Sequence, residues 1–179
     1  MNKQDIAALL IENHRQFADF VAGLNERDFL SAPAGKWSAG QHLEHIIRGV
    51  SPVRTALRLP TFVPRLLFGK ADHTSVDYEK LVENYHSGLA AGGKASGSFI
   101  PPEIGYDRRE SLRDKLMKTV GGLVKNINRF SEAQLDELVL PHPILGKLTM
   151  REMLYFTIYH ADHHHKAAQR NLESIMQND

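Results

Sequence analysis

Four stretches of this chain carry apolar residues at alternating three- and four-residue spacings, a period that gathers them on one face only if the backbone is an α-helix. Ile6, Leu9, Leu10, Phe17, Phe20, Val21 and Leu24 mark the first, which predicts a helix over residues 3–25. Leu43, Ile46, Ile47, Val50, Val53 and Leu57 mark the second. It opens at Ser38-Ala39-Gly40-Gln41, a capping box in which a hydroxyl and, three residues on, an amide side chain satisfy each other's backbone donors. Ser51-Pro52 should kink this helix, because proline lacks the amide donor and crowds the preceding turn, and Pro60 should end it. Leu112, Leu116, Val120, Leu123, Val124, Ile127 and Phe130 give a third helix over residues 109–130, and Ser131-Glu132-Ala133-Gln134 can cap one further turn. The fourth starts at the capping box Thr149-Met150-Arg151-Glu152 and continues through Met153, Leu154, Thr157, Ala161, Ala168, Leu172 and Ile175.

Residues 61–107 are the irregular part, broken by Pro64, Gly69, Gly92, Gly93, Gly97, Pro101 and Pro102, with one short helix expected near residues 77–89. No segment shows the alternation of a half-buried strand, and no repeat of 20 to 50 residues is visible. A length of 179 residues suits one core. The expectation is therefore an all-α single domain over residues 1–179, a four-helix bundle whose 61–107 segment crosses one end.

Composition removes several function classes. Lys plus Arg number 22 and Asp plus Glu 21, for a net charge of +1, so no single-sign field points to nucleic acid or to an anionic membrane. The basic run Arg108, Arg109, Arg113, Lys115 and Lys118 is interrupted by Glu110 and Asp114 and reads as a solvated helix face. With no cysteine there are no disulfides, thiolate ligands or cysteine nucleophile, so a metal would have to be held by nitrogen and oxygen. The start Met1-Asn2-Lys3-Gln4-Asp5 has no signal-peptide character and no apolar run approaches a membrane span, which makes the cytoplasm the expected location.

Chemistry concentrates in the histidines. Four of the ten lie in Tyr159-His160-Ala161-Asp162-His163-His164-His165. His160 and His164, four apart, share a helix face and continue the apolar sector: relative to His160, His164 is rotated about 40° and Met153 about 20°. Asp162 and His163 project elsewhere, and His165 lies at the edge of the stripe. Two adjacent buried imidazoles are costly unless something joins them, and a metal ion is one such joint; hydrogen-bonded core histidines are the other. A zinc-protease HExxH reading fails because Ala161 follows His160. A carboxylate-bridged di-iron bundle fails because Glu83-Asn84-Tyr85-His86 is a single Glu-x-x-His string where two are needed. A third ligand would come from the second helix, where periodicity slightly favours His42 and small residues (Gly49, Pro52, Ala56) flank His45; the spacing leaves both open. His14 reads as a satisfied core histidine, His142 as a substrate or supporting residue near the bundle mouth, His73 and His86 as surface, and Trp37 as a structural anchor.

The string from Lys36 to Ile46, KWSAGQHLEHI, followed by Gly146-Lys147-Leu148-Thr149 and by Tyr159 to His164, resembles the DinB-like (YfiT-like) superfamily of metal-dependent hydrolases and thiol transferases. The likeness covers about a third of the chain, and the middle segment matches nothing in it. The resemblance implies an up-down-down-up bundle, often dimeric. It also implies a metal held by a histidine eight residues after the tryptophan and by two histidines on the last helix, which here are His45, His160 and His164. It further implies one divalent transition metal (zinc, nickel or iron) and a small-molecule substrate, in some members a low-molecular-weight thiol. The reaction so implied is hydrolysis or thiol transfer, in which the ion activates water or a thiol. Tyr159, His142 and Asp162 are candidates for nearby proton handling, and the alternative is a non-catalytic bundle that binds a metal or small molecule.

Overall fold

Each periodic stretch forms a helix at the place its caps dictate. A computed structural model describes residues 1–177. In it α1 (Lys3–Ala22) starts at a capping box of Asn2 and Asp5. A short α2 (Glu26–Leu30) leads to α3 (Ala39–Arg58), which opens on the reciprocal Ser38–Gln41 pair and carries through Pro52. The crossing segment holds α4 (Phe62–Phe68) and α5 (Tyr78–Ala90), then two 3-10 turns at Gly97–Phe99 and Tyr106–Arg108. α6 (Arg109–Ile127) and the single-turn-and-a-half α7 (Glu132–Glu137) follow, the latter capped by Ser131 and Gln134. The chain closes with α8 (Met150–Met176), capped by Thr149 and Glu152 and about 40 Å long.

The expectation of a chain without strands is corrected. β1 (Val139–His142) and β2 (Gly146–Thr149) pair antiparallel, with His142 opposite Gly146 and Leu140 opposite Leu148. Four residues per strand are too few for alternation to register, and Pro141 inside β1 argued against one. It is tolerated because this two-stranded ribbon has open edges. Gly146 turns the hairpin with φ of 74°, a conformation that side chains with a Cβ rarely adopt. α2 and α4 were also unforeseen, being too short to show a period.

Packing follows the stripes. α1 lies against α6 and α8, α3 lies against the same two helices, and α5 lies along α8. Phe17, Leu43, Ile46, Leu116, Leu123 and Leu154 are fully buried between them. At roughly 25 cal/mol per Å² of apolar surface, burial of each such side chain contributes about 1.5–3 kcal/mol.

The first turn of α8 is also where the crossing segment is fastened. Glu152, 2% exposed, accepts from Thr149 N at 2.7 Å, from Val76 N at 3.0 Å and from the His73 ring at 3.0 Å. One carboxylate thus caps a helix and holds residues 73–76 against it. Arg151 alongside binds Asp136, Glu132 and the Met1 carbonyl, which ties α7 and the N-terminus to the same turn. Glu152→Ala removes the cap and strands the Val76 amide, and should lower unfolding free energy by about 2–4 kcal/mol in urea denaturation. A loss under about 0.5 kcal/mol would mean that apolar packing alone sets this end of α8.

Candidate metal centre

His45 stands in the second turn of α3, and His160 and His164 stand in the middle of α8, where the two helices pack. All three are buried, and one ring nitrogen from each lies within 4.8 Å of the others. Their ring centroids form a nearly even triangle of 4.5, 4.6 and 4.9 Å. His45 Nε2 and His160 Nε2 are 3.1 Å apart. Gly49 makes this approach possible: a Cβ there would already touch the His160 ring at 3.4 Å, so any longer side chain would displace it.

Hydrogen bonds outside the triangle orient two of the rings. His45 Nδ1 donates to the Phe99 carbonyl at 2.7 Å, which leaves its Nε2 lone pair directed at His160. His164 Nδ1 shares a 2.8 Å hydrogen bond with His42 Nδ1, and Asn171 reaches both His42 Nε2 and the Trp37 carbonyl. Trp37 stacks on His164 at 19° and packs on His45, while Phe156 stacks on His160. Burial lowers the pKa of His45 and lowers those of His160 and His164 well below 6.5, the last two also because each feels neighbouring histidines. Three neutral imidazoles therefore converge near neutral pH, with the lone pair of His45 fixed on Nε2 by its bond to Phe99. A tetrahedral ion with metal–nitrogen bonds of about 2.0–2.1 Å holds its nitrogens about 3.3 Å apart, close to the His45–His160 separation. All-nitrogen neutral donors suit zinc, nickel or iron and do not suit magnesium or calcium.

The triangle lines a cavity of about 830 Å³. Its wall includes His142, whose Nδ1 accepts from the Ile144 and Leu145 amides, so that its Nε2 carries the proton; burial lowers its pKa to about 4. Tyr85 on α5 lines it too, its pKa pushed up to about 12 by burial and its hydroxyl without a partner among the described residues. Both present a hydrogen-bond donor to the cavity.

The sequence-predicted residues sort clearly. His45, His160 and His164 meet, while His42 lies behind His164. Tyr159 and Asp162 do not line the cavity: the Tyr159 hydroxyl bonds His86, and Asp162 pairs with Lys166 one turn along. His163, expected to project away from the pair, is half-buried and lines the cavity, and His165 lies half-buried against Phe17 and Phe20. Trp37 does more than anchor, since it packs on three histidines. His73 and His86 are exposed, as expected. Tyr85 and Phe99 were missed. Tyr85 shares the buried face of α5 with Leu81, a weak signal, and nothing in the sequence marks the Phe99 carbonyl.

A helical chain with a buried three-histidine cluster that could hold a metal ion is the class that fold and site define. The DinB superfamily model matches residues 9–168, and the chain belongs to that superfamily. No curated protein matches it.

His14 is buried in α1 with Nδ1 donating to the Leu10 carbonyl and Nε2 unpartnered, so it is only half satisfied. Burial lowers its pKa to about 4. The folded value lies below the unfolded 6.5, so stability is full above pH 6.5 and is lost as pH falls toward 4, by about 3 kcal/mol for this group. In urea titrations of metal-free protein across that window, His14→Leu should flatten the slope by up to about 1.4 kcal/mol per pH unit. An unchanged slope would mean that His14 is protonated in the folded state.

Proposed function

We propose that the chain is a metal-dependent enzyme, a hydrolase or low-molecular-weight-thiol transferase, whose single divalent zinc, nickel or iron ion is held by His45, His160 and His164. The observation that carries this reading is the convergence of three buried, neutral imidazoles beside a cavity large enough for a small-molecule substrate. When bound, the ion acts as a Lewis acid that lowers the pKa of a coordinated water or thiol and polarises a substrate oxygen. The remaining work falls to the chain's own groups. The His142 Nε2–H and the Tyr85 hydroxyl would donate to a substrate oxygen on which negative charge develops, because each is held protonated and has no acceptor among the described residues. His142 serves as a fixed hydrogen-bond donor, since its ring is held by two amides and by Phe156 at 4.2 Å. The His42 contact to His164 and the Phe99 contact to His45 keep those rings from turning away.

In this reading residues 1–179 form one bundle domain with up-down-down-up topology. Cross-helix contacts support it: Asp19 on α1 meets Arg113 near the start of α6, Arg54 near the end of α3 meets Asn126 near the end of α6, and Trp37 before α3 meets Asn171 near the end of α8. Among the described residues no helix is long and apolar enough to cross a membrane.

The test is elemental analysis of untagged protein, native and with His45→Ala, His160→Ala or His164→Ala, followed by thiol-transfer and ester-hydrolysis assays. About one transition-metal ion per chain is expected, with most of it lost in each variant together with activity. His42→Ala should keep the ion but weaken its binding by about 10- to 100-fold. Native protein that cannot be loaded with zinc, nickel or iron would overturn the reading. Full metal with no turnover would leave a binding protein.

A further inference from the structure

The cavity is not neutral where it opens to solvent. Lys36 precedes α3, Lys94 follows α5 and Arg170 lies on α8, and all three line the cavity with exposed side chains. Among the described residues no aspartate or glutamate lines it, in a chain whose acidic and basic residues are nearly equal in number. Most other cations that pack near a neighbour are neutralised, as Arg48 is by Glu44, Arg113 by Asp19, Arg151 by Asp136 and Lys166 by Asp162. Lys36, Lys94 and Arg170 have no side-chain hydrogen bond or ion pair among the described residues. Three cations from three separate elements thus share one opening without a counter-charge. The charge of Arg170 also reaches inward, where it helps to lower the pKa of His42 and of His163.

The rest of the wall is largely apolar, with Val53, Phe99, Ile144, Met153 and Phe156. Along α8 the lining runs from the cation Arg170 through the histidines His164 and His160 to the apolar Phe156 and Met153. We propose that the cavity takes a small molecule with an apolar body and an anionic group, a carboxylate or a phosphate, and that Lys36, Lys94 and Arg170 hold the anion while the other end reaches the histidine triangle. This rests on the functional reading above only for which end reacts. The opening raises the local concentration of an anion by long-range attraction, and bidentate pairing at Arg170 fixes its orientation.

The test uses three probes on untagged full-length protein, titrated calorimetrically with and without a saturating chelator: 4-phenylbutyrate, its uncharged analogue 4-phenylbutanamide, and 3-phenylpropyl phosphate. An anion should bind at least about 10-fold more tightly than the amide, with the advantage shrinking as salt is raised. Whichever anion binds more tightly identifies the group. Lys36→Gln, Lys94→Gln and Arg170→Gln should each reduce the advantage about 3-fold or more, and the triple variant should abolish it without changing the far-ultraviolet dichroism or metal content. The advantage must survive in chelated protein, because a carboxylate could otherwise be binding the ion itself. Preference lost on chelation and untouched by the triple variant would overturn this proposal and leave the metal site standing. Preference retained in a protein that takes up no metal would do the reverse. Equal binding of anion and amide, or no binding of any probe at millimolar concentration, would also overturn it.

Discussion

The contact between α3 and α8 is set by imidazoles, and that is the constraint on which the site and much of its surroundings depend. Two helices joined through leucines can slide by fractions of an ångström at small cost. Two helices joined through buried histidines cannot, because each ring nitrogen must find a partner or incur the cost of an unsatisfied polar atom, about 1–3 kcal/mol. His45 and His160 meet at 3.1 Å, and His42 and His164 meet at 2.8 Å, so the crossing is pinned at two points one turn apart. Burial holds these rings neutral, which keeps their lone pairs available and removes the mutual repulsion that four imidazolium ions would bring.

Elements outside the four long helices earn their place by serving that crossing. The 3-10 turn at Gly97–Phe99 brings a carbonyl to His45, the hairpin brings His142 with its proton fixed on Nε2, and α5 brings Tyr85 against α8. None of these groups is on the helix whose histidine it supports. The fastening of residues 73–76 by Glu152 belongs to the same arrangement, since it holds the stretch of the crossing segment that leads directly into α5.

How much of this could be read from the residues depends on the range of the interaction. The four long helices were legible because their evidence is local: a repeated apolar spacing and, for α3 and α8, a reciprocal cap within four residues. The short helix expected near 77–89 appears at Tyr78–Ala90 for the same reason. The His160–His164 pair was legible as two residues on one face. Periodicity left His42 and His45 unresolved, and the structure shows why: both rings lie at the α3–α8 contact, His45 within the triangle and His42 against His164. The hairpin, α2 and α4 were not legible, because strands of four residues and helices of five to seven carry no measurable period. Phe99 supplies a backbone atom, which no side chain advertises.

Charge links the two ends of the cavity. Carboxylate ligands would offset part of a divalent ion's charge and would repel an incoming anion; three imidazoles do neither, so an ion held by them keeps both positive charges facing the cavity. Among the described residues the wall adds no acid, and the opening adds three unpaired cations. In a half-buried space the effective dielectric is nearer 20 than 80, so like charges placed there repel by amounts that matter to stability. A chain that places cations along one cavity and aims three metal-ligating nitrogens into it accepts that repulsion without a structural return inside the cavity. An anionic molecule occupying the space would relieve it at both ends, and the same relief would contribute to its binding.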